Sequence, residues 1–210
     1  FASIPSVSRV QIDVVDERFA SPVSWPYSAP EELQALVEQS RVLPILDRIE
    51  YEIDLMCLDA ERAADAWLAL GVTRLTFHAE SVSDLSRLIA SIRTRYGDSI
   101  SFGLALNIAS DPELLEPHLS EIDYVQFMGI ERIGRQGQTF DRRVLEKIRV
   151  FHDCHPEVPI QVDGGVSLES AKQLLSLGVS NLVVGSGILR ANDPAAAFAA
   201  FETLQEHSGI

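Results

Sequence analysis

From residue 9 onward the chain alternates between short apolar segments and longer amphipathic ones. Seven segments read as strands: Arg9–Val15, Ile49–Cys57, Arg74–His78, Ile100–Asn107, Tyr124–Ile130, Ile160–Asp163 and Asn181–Gly185. They are rich in Val, Ile, Leu, Phe and Tyr. Several are apolar on both faces, as parallel strands covered on both sides should be. The stretches between them carry helix signals. Ser110-Asp-Pro-Glu113 has capping-box spacing with a proline in the first turn, and Asn192-Asp-Pro194 opens the last helix in a similar way. Gly71, Gly97 and Gly178 follow apolar-periodic runs, where a left-handed cap favours glycine. In the helix expected over Ala60–Leu70, Ala63, Ala64, Trp67 and Leu68 share a face, so Trp67 reads as a core anchor.

Seven strand–helix units with no Asn-Gly hairpin signal between them predict a parallel sheet and an α/β fold. A (β/α)8 barrel of the TIM type uses eight such units. The eight residues before the first strand are too few for another unit. The expectation is one barrel domain over residues 1–210 whose first β/α unit is truncated or absent.

Charge and composition narrow the partners. The formal net charge is −14, and the 17 Lys and Arg are scattered rather than gathered in a stripe, which argues against nucleic acid and anionic membranes. A small phosphorylated ligand stays compatible, because backbone N–H groups can hold one phosphate locally. No apolar run approaches the roughly 18 residues of a membrane span. Phe-Ala-Ser-Ile-Pro at the start lacks the basic and apolar regions of a signal peptide. Cys57 and Cys154 lie far apart with no CxxC spacing, which suits a reducing compartment, so a cytoplasmic location is expected.

In such a barrel the chemistry sits at the C-terminal ends of the strands. Those ends carry Gln11 and Asp13, Asp54 and Met56, His78 and Glu80, Asn107, Met128, Asp163, and Gly185 with Ser186. A single carboxylate there is as readily a helix cap as a catalyst. Three aspartates on three apolar strands are harder to explain that way, since buried carboxylates need a shared proton, a cation or donors. Glycines after the last two strands, Gly164-Gly165 and Gly185-Ser186-Gly187, would let backbone N–H groups approach an anion closely.

These segments resemble the ribulose-phosphate 3-epimerase family. Gln11-Ile-Asp-Val-Val-Asp16 is similar to the family's HxDxMD strand, and Glu52-Ile-Asp-Leu-Met56 to its DVHLM strand. Leu104-Ala-Leu-Asn107 is similar to its glycine–leucine–asparagine segment, and Gly137-Gln138-Thr-Phe140 to the end of its NPGFGGQxF loop. Val162-Asp-Gly-Gly-Val166 and Val184-Gly-Ser-Gly-Ile188 are similar to its last two strands. The likeness runs in order from about Val10 to Phe198; the family's first strand and helix have no counterpart.

The resemblance implies an isomerase of carbohydrate metabolism that epimerises a pentose phosphate or similar ketose phosphate at C3. Asp13 and Asp163 would be the acid–base pair, one removing the proton and the other delivering one to the opposite face. Met56 and Met128, the only methionines, fall on positions that line the family's pocket, with Gly137, Gln138, Gly164, Gly165, Gly185 and Ser186 as further substrate contacts; His78 reads equally as a substrate contact or as a satisfied structural histidine. The family's two metal histidines are replaced here by Gln11 and Asp54. A metal set of Gln11, Asp13, Asp54 and Asp163 offers only oxygen, which favours Mg²⁺ or Mn²⁺ over Zn²⁺, or no metal. The loop Glu131–Gln138 lacks the family's proline and aromatic, so Arg132 and Arg135 are candidates for anion recognition beside the plainer reading of solvated loop arginines. Two other readings stay open: an inactive barrel that binds a ligand or protein, and a phosphate-binding lyase. The lyases' DxKxxD motif is unmatched, since Asp13-Val-Val-Asp16 has no lysine. A homo-oligomer is compatible with each reading.

Overall fold

A computed structural model describes residues 3–207. Its strands are β1 (Arg9–Val15), β2 (Glu50–Met56), β3 (Arg74–His78), β4 (Ser101–Leu106), β5 (Tyr124–Met128), β6 (Ile160–Asp163) and β7 (Asn181–Val183). The helices are α1 (Pro30–Glu38), α2 (Ala60–Ala69), α3 (Leu85–Tyr96), α4 (Arg143–Cys154), α5 (Leu168–Ser176), α6 (Ser186–Leu189) and α7 (Pro194–His207). The strands are ordered as in the chain. All the expected strands are present, with ends that differ by one or two residues at most.

The chain divides into two compact units, one running to Leu104 with Ser120–Ile122 added, the other holding Ala105–Leu119 and everything from Asp123 on. In the first unit β1 pairs with β2 and β2 with β3, all parallel. Ile53, Leu55, Leu75 and Phe77 on alternate strand positions are fully buried, as is Trp67 of α2. Trp25 meets the Trp67 ring edge-on at 5.4 Å. On α2 the buried line is Ala60, Ala64 and Trp67, with Ala63 and Leu68 on its margins. Burying one such aromatic side chain contributes about 2–3 kcal/mol.

In the second unit β5 pairs with β6 and β6 with β7, again parallel. Val144, Ile148 and Phe151 form the buried face of α4, and Phe151 meets Phe127 of β5 edge-on at 5.2 Å. Helix α5 begins at a reciprocal cap between Ser167 and Ser170. Helix α7 opens as its proline signal predicts: Asp193 accepts from the Ala196 N–H, and Pro194 takes the first turn. Gly71, Gly97 and Gly178 have φ of +90°, +53° and +83°, so the left-handed caps are where the sequence puts them.

The segment from Ser110 departs from expectation. It forms two single 3-10 turns, Pro112–Leu114 and Glu116–His118, and no α-helix. The cap is Asp111, which accepts from the Glu113 N–H. Pro117 explains the break, because it lacks the N–H that a continuing α-helix would bond back to residue 113.

Candidate functional site

Register in the first unit builds two polar tiers on one side of the sheet. Gln11 opposes Glu52, which opposes Arg74; two residues on, Asp13 opposes Asp54, which opposes Thr76. Side chains alternate along a strand, so each tier shares a face with the next, and Met56 and His78 continue it. In the lower tier Glu52 is buried and satisfied: it accepts from Arg74 Nε at 2.9 Å and from Thr76 Oγ1 at 2.8 Å.

The upper tier carries the candidate chemistry. Gln11 Nε2 donates to Asp13 Oδ1 at 3.1 Å, and His78 Nε2 lies 3.0 Å from Asp54 Oδ1. Carboxylate oxygens of Asp13 and Asp54 lie within 4.8 Å of each other. Burial, followed by the charge of Asp54, pushes the Asp13 pKa from 3.8 up to about 6; the Gln11 hydrogen bond and His78 pull the other way. Burial alone would lower the His78 pKa, but the charge and hydrogen bond of Asp54, with Glu80 and Asp13 behind them, raise it. Two like charges held this close are relieved by a proton or a cation.

Loops fix this tier from above. The Asp16 carboxylate accepts from the N–H groups of Arg18 and Phe19 through one oxygen and from the Leu58 N–H through the other. It thereby joins the loop after β1 to the loop after β2. Phe19 then lies with its ring 5.4 Å from the His78 ring. Ser24 Oγ donates to the Asp13 carbonyl and accepts from the Val15 N–H, anchoring the same loop to its strand. Sequence reasoning gave Asp16, Phe19 and Ser24 no role. The signal available was the second aspartate of Gln11-Ile-Asp-Val-Val-Asp16.

In the second unit Met128 opposes Asp163, and the Asp163 carbonyl accepts from Gly129 N–H at 2.7 Å. Beneath them runs an amide ladder, buried at Gln126 and Gln161 and half-buried at Asn181: Asn181 Nδ2 donates to Gln161 Oε1, and Gln161 Nε2 donates to Gln126 Oε1 at 2.7 Å. Gln126 Nε2 in turn faces Met128 Sδ at 3.4 Å, so the ladder orients the thioether. The glycines after β6 have a packing reason of their own. Gly165 has φ +68°, and a Cβ there would lie 2.7 Å from the backbone of Phe140. Gly164 has φ +104° and would press a Cβ on Ile130. A Cβ on Gly187 would lie 3.2 Å from the Val166 carbonyl, so the turns after β6 and β7 are neighbours.

The altered loop folds on itself. Gln138 Nε2 donates to the carbonyls of Arg132 and Arg135, which uses both of its amide hydrogens. Gly137 has φ +79°, and a Cβ there would lie 2.9 Å from an Arg190 guanidinium nitrogen. Arg190, at the end of α6, is thus the arginine lying against Gly137, and the sequence reading did not single it out.

Comparison with known proteins follows the same pattern. Residues 5–189 match the Ribulose-phosphate 3 epimerase family. Ribulose-phosphate 3-epimerase of Mycobacterium tuberculosis (strain ATCC 25618 / H37Rv) is 27% identical over 206 residues, covering 95% of this chain and 82% of that protein. The enzyme of that name from Bacillus subtilis (strain 168) is 28% identical over 189 residues, covering 88% and 81%. For that of Schizosaccharomyces pombe, 26% identical over 144 residues, the match spans 69% of this chain and 61% of the other. Among solved structures the chain is similar to KGPDC from Streptococcus mutans in complex with D-R5P, with TM-score 0.67, 17% identity, and 95% and 86% of the two chains covered. It is equally similar to 3-hexulose-6-phosphate synthase from Salmonella typhimurium, with TM-score 0.67, 16% identity, and 95% and 98% covered. These likenesses give the fold as α/β of the TIM-barrel type, as the strand pattern predicts. With the family match running through both units, the chain belongs to the ribulose-phosphate 3-epimerase family.

Proposed function

We propose that the protein is an epimerase of phosphorylated ketoses that inverts C3 by proton transfer through Asp13 and Asp163. One aspartate removes the C3 proton and the other returns a proton to the opposite face of the planar intermediate. The observation that carries this reading is the state of Asp13. Its carboxyl is pushed to about 6, close to where a base for neutral pH works best, by burial and by Asp54. Asp163 stands at the matching strand end in the second unit, fixed through its own carbonyl by Gly129. Met56 and Met128 line the sugar's path in this reading. The phosphate lies at the turns after β6 and β7, held by N–H groups around Gly164, Gly165, Gly185 and Ser186, with the loop of Gly137 and Gln138 as the cover and Arg190, at the end of α6, against it. The family name and the sugar phosphates named for structural neighbours support that substrate class.

The acidic residues fit a divalent cation chemically, since the Asp13–Asp54 repulsion is what a cation would relieve. Asp13 and Asp54 would hold it, and their oxygens suit Mg²⁺ or Mn²⁺ better than Zn²⁺. Bound there, the ion would supply positive charge against the negative charge that develops on the sugar oxygens. Gln11, also a candidate ligand, turns its amide N–H to Asp13 and so acts on the base directly.

Incubation with ribulose 5-phosphate and Mg²⁺ or Mn²⁺ in deuterated water tests the reading. NMR should show the C3 hydrogen replaced by deuterium and the C3 epimer accumulating. Absence of exchange across pentose and hexulose phosphates would count decisively against it.

A further inference from the structure

We propose that His78 is a positioning residue, which orients the Asp54 carboxylate for a divalent cation through a hydrogen bond from Nε2 and touches neither cation nor substrate. The inference rests on the reading above, in which Asp13 and Asp54 share a cation. Its ground is placement. Thr76 opposes Asp54 in the β2–β3 register, so His78, two residues on, emerges on the same face just beyond it. The imidazole reaches back to Asp54 Oδ1 at 3.0 Å, and both side chains are 0% exposed. That contact holds one carboxylate oxygen and so fixes the plane of the group.

The ring is itself held. Phe19 packs on it at 5.4 Å between centroids, and the Phe19 backbone is held by Asp16. Nδ1, by contrast, is buried with no hydrogen-bond partner among the described residues. A histidine kept only for packing would leave that nitrogen at an expense an apolar side chain avoids. The arrangement is understandable when Nε2 alone has a task. Hydrogen bonds from a neighbouring shell onto metal-ligating carboxylates commonly decide affinity, and their loss typically weakens binding about 10–100-fold.

The test is Mn²⁺ affinity of the full chain, read from the electron paramagnetic resonance of free Mn²⁺, beside thermal melting without metal. His78→Leu should weaken Mn²⁺ binding about 10–100-fold. His78→Gln, whose Nε2 can stand where the imidazole Nε2 stands, should restore binding to within a few-fold of wild type. Should His78→Leu not fold, His78→Asn takes its place; its amide is polar but too short to reach Asp54, and the same loss is expected. Unchanged affinity in the folded Leu or Asn variant overturns the proposal. A Gln variant as weak as either also overturns it, because the hydrogen bond would then not be the cause. Wild type that takes up no Mn²⁺ overturns the shared-cation reading itself, and with it this inference.

Discussion

Asp13 and Asp54 stand in register on adjacent parallel strands, their carboxylate oxygens within 4.8 Å, each with one oxygen held by a separate side chain, Gln11 or His78. Two acids placed this way have a measurable consequence before any substrate is present. The folded-state pKa of Asp13 is raised from 3.8 to about 6, first by burial and then by Asp54. A raised carboxyl pKa means the folded state binds the proton more tightly than the unfolded state. The charged form therefore destabilises the fold above pH 6, and the effect fades as pH falls toward 4.

Asp13→Asn should accordingly be more stable than wild type at pH 8 in the presence of a chelator, and equal to it near pH 4. The rise from 3.8 to about 6 corresponds to an upper bound of about 3 kcal/mol, or several degrees in Tm. Melting curves at the two pH values check this. A variant that melts below wild type at pH 8 would contradict the strain assigned to the pair.

The tier below should behave oppositely. Glu52 is 1% exposed and Arg74 12%, and Thr76 completes the set. Arg74→Met leaves the Glu52 charge buried without its cation, which typically costs about 3–5 kcal/mol. Glu52→Gln together with Arg74→Met should recover part of that loss. Urea denaturation of the single and double variants measures the difference.

Asp16 gives a prediction about order in the loops. Asp16→Ala removes the acceptor for three backbone N–H groups, those of Arg18, Phe19 and Leu58. Unsatisfied or newly solvated donors of this kind cost about 1–3 kcal/mol. Amide hydrogen exchange at Phe19 and Leu58 should speed up markedly, with little change at Ile53 or Leu55 in β2. Uniform acceleration throughout the first unit would mean that Asp16 supports the whole fold rather than the loops.

Much of this was legible in the sequence, for identifiable reasons. Strands apolar on both faces announce a parallel sheet, and the glycine caps at Gly71, Gly97 and Gly178 mark helix ends because few other residues accept those angles. Asp13 and Asp54 were visible as acids on apolar strands. That His78 would bond Asp54 was not, because the pairing depends on the β2–β3 register, which no local pattern encodes. The same holds for Gln126, Gln161 and Asn181, three amides that look unrelated until three strands align. Gly165 was read for its ability to approach an anion; its closest packing constraint is the Phe140 backbone. The Ser110 segment misled because the cap that forms there is Asp111 rather than Ser110, and Pro117 forbids a helix behind it.

The last prediction concerns the chemistry itself and separates an enzyme from a barrel that only binds. Asn keeps the size of Asp but cannot accept the proton, so Asp13→Asn and Asp163→Asn should each slow C3 hydrogen exchange about 10²–10⁴-fold. Asp13→Asn should lose activity while melting higher at pH 8, a combination that general damage to the fold does not produce. Asp54 offers the internal control. If it only holds the cation, Asp54→Asn should be impaired less than either acid–base variant and should regain part of its rate at raised Mn²⁺. Asp13→Asn should not respond to added metal in that way. Solvent-exchange rates from NMR, measured for all three variants across a Mn²⁺ series, decide the matter. Equally slow exchange in wild type, Asp13→Asn and Asp163→Asn would remove both aspartates from the mechanism and leave a binding protein built on an epimerase scaffold.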